Sequence, residues 1–186
     1  MLRKSFIFFV SLAAALPVAR AQSVYTASRK FDLQAGGGYS IAKSDYAPEK
    51  YRGFNLYFDL DFRPHWGIEG VFHQVNQPSP GKMYERTYEI GPRYTRQYKD
   101  GLFRPYVKAM YGRGVYNYPN DVANLAYNLF AGGGGLDVRV HPRINVRVFD
   151  YEYQRWLSFP PNGLSPQVVS FGVAYHFGSD SRFPKH

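Results

Sequence analysis

The sequence predicts an all-β fold: an eight-stranded antiparallel up-and-down barrel whose apolar face is turned outward. Three observations carry this reading. The chain of 186 residues holds 17 Tyr and 15 Phe, which favour strands, together with 18 Gly and 13 Pro, which punctuate them. Beyond residue 30 it breaks into eight segments of roughly 10 to 12 residues that alternate in polarity. The connections between those segments alternate between long and short, as in a barrel with all its short turns at one end.

The first segment sets Phe31, Leu33, Ala35, Gly37, Tyr39 and Ile41 opposite Asp32, Gln34, Gly36, Gly38 and Ser40. The second, Gly53 to Phe62, is the clearest: Phe54, Leu56, Phe58, Leu60 and Phe62 share one face, because strand side chains alternate with period two. Five noisier segments follow at about Trp66 to Val75, Tyr84 to Arg96, Phe103 to Tyr116, Leu125 to Val140 and Ile144 to Trp156. The eighth places Val169, Phe171, Val173, Tyr175 and Phe177 on one side. Long polar connections are read at 42–50, 76–83, 117–124 and 157–166, and short ones at Arg63-Pro64-His65, around Asp100-Gly101, and at His141-Pro142-Arg143.

Volume decides which face is outside. An eight-stranded barrel encloses a space that side chains just fill, and four or five large apolar residues from every strand would overfill it. A soluble lipocalin-like barrel with an apolar interior is therefore disfavoured. An apolar exterior of this extent far exceeds the patch a soluble monomer tolerates, whereas in lipid a closed barrel satisfies all its backbone polar groups. The fold is read as a transmembrane β-barrel, residues 31–177, in the outer membrane of a diderm bacterium. Its strands match the ~9 to 11 residues a tilted crossing needs.

Export is expected as well. Met1 to Ala21 reads as a secretory signal peptide: Arg3 and Lys4, an apolar run from Phe6 to Val18, then Ala19-Arg20-Ala21. Its removal would leave 165 residues. It would also take Arg3, Lys4 and Arg20 with it, lowering the net charge from +9 to +6. Residues 22–30 would form an N-terminal periplasmic segment and 178–186 a short tail. Zero cysteines exclude a disulfide framework, a cysteine zinc site, a thiol nucleophile and a lipoprotein anchor.

Several short patterns carry a family resemblance: Gly36-Gly37-Gly38-Tyr39, Ile90-Gly91-Pro92-Arg93-Tyr94, Arg104-Pro105-Tyr106, glycines 132 to 135 followed by Leu136-Asp137, and Tyr175-His176-Phe177. With the leader, they make residues 30–177 resemble the small outer-membrane β-barrel family, of the outer membrane protein A transmembrane-domain type. The resemblance implies an outer-membrane barrel with periplasmic termini, and Phe177 as a signal for the barrel-assembly machinery. The family usually ends at that Phe, whereas Gly178 to His186 continue here. Nine tail residues are too few for a peptidoglycan-binding domain.

Charge placement gives the inward register. An Arg or Lys on the lipid face near the midplane costs roughly 2 to 4 kcal/mol. Asp59, Glu69, Glu89, Arg93, Lys108, Asp137, Arg139 and Arg147 should therefore point into the lumen and pair there, as a filling or as the lining of a narrow path. If Arg147 is inside, strict alternation would strand Asp150 and Glu152 in lipid. A β-bulge near Phe149-Asp150 would return both to the lumen and turn Tyr151 and Tyr153 outward. Pro92 forfeits a ladder hydrogen bond in a barrel without edges, so a local distortion is expected there.

The sequence offers no catalytic, cofactor or metal set. A lipid deacylase of this architecture resembles a His-x-Ser pair, in which serine has an adjacent base. None occurs: His65, His73, His141 and His176 precede Gly67, Val75, Arg143 and Gly178. The five histidines show no ligand spacing. His65 and His141 fall in turns, and His73 and His176 are candidates for the lumen. The basic surplus forms no run, which argues against nucleic acid. Lys43, Lys50, Arg52, Lys82, Arg86, Arg113 and Arg155 gather near the long connections and are candidate contacts to lipopolysaccharide phosphates. The reading is thus a monomeric, non-catalytic barrel, envelope-structural or interacting through its extracellular loops, with outer-membrane lipids as partners. A narrow porin-like channel is the alternative, ahead of a lipid-modifying enzyme.

Overall fold

In a computed structural model the chain is described over residues 31–45, 49–78 and 83–177. The expected leader at 1–21, the segment 22–30, the tail 178–186 and Lys82 lie outside the described residues. Eight strands form one closed antiparallel barrel in chain order: β1 Asp32–Lys43, β2 Lys50–Asp61, β3 Trp66–Asn76, β4 Tyr84–Thr95, β5 Phe103–Asn117, β6 Asn124–His141, β7 Ile144–Trp156 and β8 Gln167–His176. A 3-10 turn at Pro119–Asp121 is the other regular element among the described residues.

Most strand bounds fall within two or three residues of those the alternation predicts. The differences collect at the long-connection end, where β1 and β2 continue until Lys43 pairs with Lys50. Ladder hydrogen bonding outlasts the apolar alternation there, so three connections shrink to 44–49, 77–83 and 118–123, while the fourth keeps 157–166. The β4–β5 connection departs the other way. It spans 96–102, as long as 77–83, and a bridge between Tyr98 and Phe103 narrows it to a tip. Lys99, Asp100 and Gly101 turn that tip through positive φ values of 50, 57 and 86°.

Pairing followed around the ring fixes the geometry. From Asp32 it runs through Asp61, Gly67, Arg93, Lys108, Gly133, Glu152 and Val168, and returns to β1 at Ala42, ten residues along. A shift of ten over eight strands, at the usual strand rise and spacing, tilts the strands by about 40°.

The wall is apolar outside and mostly polar inside. Phe54, Leu56, Phe58, Ile90, Val107, Phe130, Phe171 and Val173 are exposed on the outer face, while Asp59, Glu69, Arg93, Lys108, Asp137 and Arg147 are buried within. The largest fully buried side chains include three arginines, the inverse of a soluble core.

Two irregularities fall where sequence logic puts strain. On β7 the register shifts between Arg147 and Asp150, so that Val148 and Phe149 together oppose Phe171 of β8. Both point outward, 49% and 47% exposed, and Asp150 and Glu152 return to the interior. Tyr151 and Tyr153 are exposed on the wall. On β4 the ladder to β5 is interrupted at Gly91 and Pro92 with no change of register on either side. The proline ring lies outward, exposed, where its missing donor interrupts one ladder only.

Candidate functional site

The lumen is layered along the barrel. In its middle, Arg93 and Arg147 share one set of carboxylates. Arg93 Nη1 lies 2.5 Å from Asp59 Oδ2, its Nη2 2.6 Å from Asp137 Oδ2, and its Nε 3.4 Å from Glu69 Oε2. Arg147 reaches Asp137 Oδ1 at 3.0 Å, Asp59 Oδ2 at 3.0 Å and Glu69 Oε1 at 3.2 Å. Lys108 Nζ is held by Glu69 at 2.8 Å, Asp150 at 2.7 Å and Glu152 at 3.1 Å. Aromatic rings complete the packing: the Arg147 guanidinium lies 3.8 Å from the Tyr57 ring centroid and the Arg93 guanidinium 3.9 Å from that of Tyr106. Gly135 makes the room, since a Cβ there would meet the Tyr106 hydroxyl at 2.6 Å.

Six of the eight charges assigned to the lumen from sequence meet in this one network: Asp59, Glu69, Arg93, Lys108, Asp137 and Arg147. Two stand apart. Arg139 sits toward the short-turn end, its Nε 3.5 Å from Asn145 Oδ1. Glu89 belongs to the layer on the loop side. At the turn end Arg104 pairs with Asp61 at 2.8 Å, and His176 contacts Asp32. Gln34 links the layers by bonding Asp59 and accepting from Asn145 Nδ2 at 2.5 Å.

Toward the loop end the network passes into a layer of His73, Glu89, Glu152 and Gln154. Gln154 Nε2 donates to Glu89 Oε1 at 2.9 Å and to Glu152 Oε1 at 2.7 Å, and Thr87 Oγ1 donates to the same Glu89 oxygen at 2.6 Å. Ser40 Oγ lies 3.1 Å from His73 Nδ1 and 2.9 Å from Ser170 Oγ. Donor atoms of His73, Glu89 and Glu152 all lie within 4.8 Å of one another, so this group could hold a metal ion despite the absence of any ligand spacing along the chain. Of the other histidines, His65 is exposed in the β2–β3 turn as expected, whereas His141 is exposed as the last residue of β6, because its ladder pairing to Ile144 carries the strand past the expected turn.

Above this layer the lumen becomes apolar, where the sequence predicts only a paired charge network. Tyr51, Val75, Tyr116, Leu129, Trp156, Phe159 and Leu164 are buried as a cap over the loop end. Tyr51 and Tyr116 hydroxyls hydrogen-bond at 3.0 Å, Phe159 packs edge-on to Tyr116 at 5.3 Å, and Trp156 Nε1 donates to Gln154 Oε1 at 2.9 Å, joining cap to polar layer. Gly114 admits the indole: a Cβ there would lie 2.5 Å from Trp156 Cη2. The parity signal was present, because Tyr51, Tyr116, Leu129 and Trp156 sit on the same inward register as the charges of their strands. Composition hid it, since aromatics suit a lipid-facing wall equally well.

On the outer face the predicted basic residues take a regular position. Lys43, Lys50, Arg52, Arg113 and Arg155 are exposed and Arg86 is half-buried. Arg52, Arg86, Arg113 and Arg155 each lie two residues beyond an outward aromatic toward the loop end, namely Phe54, Tyr88, Tyr111 and Tyr153. Arg86 Nε donates to Gln74 at 2.5 Å, and Arg155 to Ser165 Oγ at 2.7 Å and the Asn162 carbonyl at 2.6 Å.

The architecture is shared with solved structures. Neisserial surface protein A is 12% identical with a TM-score of 0.65, over 78% of this chain and 96% of that one. The N-terminal β-barrel domain of Pseudomonas aeruginosa OprF is 9% identical with a TM-score of 0.57, over 78% and 97%. Ail, the attachment invasion locus protein of Yersinia pestis, is 20% identical with a TM-score of 0.51, over 79% and 97%. At such identities the likeness is one of fold. No curated protein matches the chain. Residues 8–177 match the outer membrane protein beta-barrel domain family, and the chain belongs to that family, its apolar wall facing the lipid of an outer membrane.

Proposed function

We infer that this barrel is non-catalytic and acts as an envelope-structural or surface-interaction protein, with a lumen that serves as its core and not as a channel. One observation carries this: Arg93, Lys108 and Arg147 are each held by three or more carboxylates, beneath a cap in which Tyr51, Tyr116 and Trp156 are fully buried. A solute path would require these groups to part, against both ion pairing and apolar burial. The test is planar-bilayer conductance of the refolded barrel. Electrical silence is the expected outcome, and stepwise conductance that changes on charge reversal at Arg93 would sink the reading in favour of a narrow pore.

The short turns and both barrel termini would face the periplasm, following a cleaved leader at 1–21, and Phe177 would engage the barrel-assembly machinery. The connections 44–49, 77–83, 118–123 and 157–166 would then be extracellular. Lipopolysaccharide is the lipid partner this arrangement favours. The repeated placement of Arg52, Arg86, Arg113 and Arg155 just beyond a ring of aromatics sets cations at headgroup depth, where guanidinium groups match phosphates bidentately. Lys43 and Lys50 extend the belt, and Lys82 belongs to it by sequence. No nucleic-acid partner is implied, and a monomer is the working state. Replacing the four arginines by Gln should remove most of the thermal stabilisation that added lipopolysaccharide confers on the detergent-solubilised barrel. An unchanged shift would remove the belt from the argument.

A further inference from the structure

The layer beneath the cap holds more carboxyl groups than cations. Between the Arg104–Asp61 pair and the cap, six buried carboxylates (Asp59, Glu69, Glu89, Asp137, Asp150 and Glu152) face three buried cations, Arg93, Lys108 and Arg147. Those cations are concentrated on the central set. His73 Nε2 is buried with no hydrogen-bond partner, and Glu89, whose Oε1 accepts from Thr87 and Gln154, also meets the Glu152 carboxyl group. The imidazole Nε2 lies 4.0 Å from Glu152 Oε1. Two buried carboxyl groups in contact, with an unpartnered imidazole nitrogen beside them, are costly unless something occupies the space between them.

We propose that His73, Glu89 and Glu152 bind one divalent transition-metal ion in the upper lumen, between β3, β4 and β7. The donor set is one imidazole nitrogen and two carboxylates, which suits zinc and its neighbours better than calcium, with its demand for six to eight oxygens. A water completes four-coordination. Ligand distances near 2.1 Å place donors about 3.4 Å apart, so contacts within 4.8 Å close on an ion by roughly 1 Å of side-chain movement. The supporting groups are in place. Ser40 Oγ lies 3.1 Å from His73 Nδ1, and in the tautomer that donates to it the Nε2 lone pair is left for the metal, while Gln154 and Thr87 hold the other oxygens of the two glutamates. Lys108 Nζ also pairs with Glu152 Oε2 at 3.1 Å, so on metal binding its ammonium shifts fully onto Glu69 and Asp150, which already hold it at 2.8 and 2.7 Å. The ion's charge would let both glutamates stay ionised side by side.

The test is refolding of the chain into detergent with zinc sulfate, removal of loose metal by chelator and gel filtration, and elemental analysis of the folded fraction, identified by its heat-dependent gel mobility. Lipopolysaccharide is absent, so surface-bound ions do not contribute. The expected result is about one zinc per folded chain, falling more than tenfold in His73→Gln and in Glu89→Gln. Cobalt supplies a second measurement, because its visible absorption in this low-symmetry site should appear with the wild-type chain and vanish with His73→Gln. A folded wild-type barrel that retains no more zinc than His73→Gln, or that gives cobalt only its aqueous spectrum, overturns the proposal. Should His73→Gln fail to fold, the Ser40→Ala chain decides: retained folding with at least tenfold weaker zinc binding supports the site, and unchanged binding refutes it.

Discussion

The two halves of the lumen solve the same filling problem with opposite chemistry. Toward the short turns, Arg93, Arg147 and Lys108 interlock with carboxylates from β2, β3, β6 and β7. Toward the loops, Tyr51, Tyr116, Leu129 and Trp156 pack as an ordinary soluble core would. Strand parity is common to both, so parity states only that a side chain is inside. What differs is the error each half tolerates. A misplaced apolar residue in the cap leaves a void, whereas one missing cation in the network leaves several carboxylates uncompensated in low dielectric.

The sharpest way to break that contrast is to exchange Arg147 and Val148. The Arg147→Val, Val148→Arg chain turns the guanidinium into lipid and leaves Asp59, Glu69 and Asp137 without it, costing more than about 5 kcal/mol once lost ion pairs are included. The heat-resistant folded band should disappear. Next, Arg147→Met keeps the volume but strips partners from Asp59, Glu69 and Asp137. Urea unfolding in lipid vesicles should register a loss of about 3–5 kcal/mol. Trp156→Ala, in the other half, should cost about 3 kcal/mol by cavity formation. Its unfolding midpoint should fall while that of Arg147→Met falls further. A cap variant more damaging than the network variant would reverse the comparison.

Smallest is Gly114→Ala, where a methyl group presses on the Trp156 ring, for about 1–2 kcal/mol. In a Trp156→Ala background the same change should be nearly neutral. The coupling measured by that double-mutant cycle tells whether indole and glycine form one packing unit.

Much of this was legible in the chain. The order and parity of eight strands follow from alternation, and the bulge follows from a conflict: Arg147, Asp150 and Glu152 cannot share an interior without one extra residue between them. Pro92 likewise announced a ladder fault and proved to sit on the outer face. The partnerships were not legible. Arg93 meets Asp59 and Asp137, 34 and 44 positions away, only because the ten-residue shift brings those rows to one height. The cap escaped for a different reason, since Tyr and Trp near a strand end suit a lipid girdle as well as a lumen. Trp156 could have been placed only by counting past the bulge. His73, Glu89 and Glu152 come from β3, β4 and β7, so no spacing along the chain could have grouped them.

The chain has two tryptophans, and the fold sends them to opposite environments. Trp66 is exposed on the outer wall against Tyr94, while Trp156 is fully buried beneath the loop end. Their fluorescence therefore separates two events that a gel shift merges. A quencher carried on acyl chains reaches Trp66 as the barrel inserts, whereas Trp156 changes its emission only when the loop end shuts, so insertion and closure can be timed within a single chain without an added label.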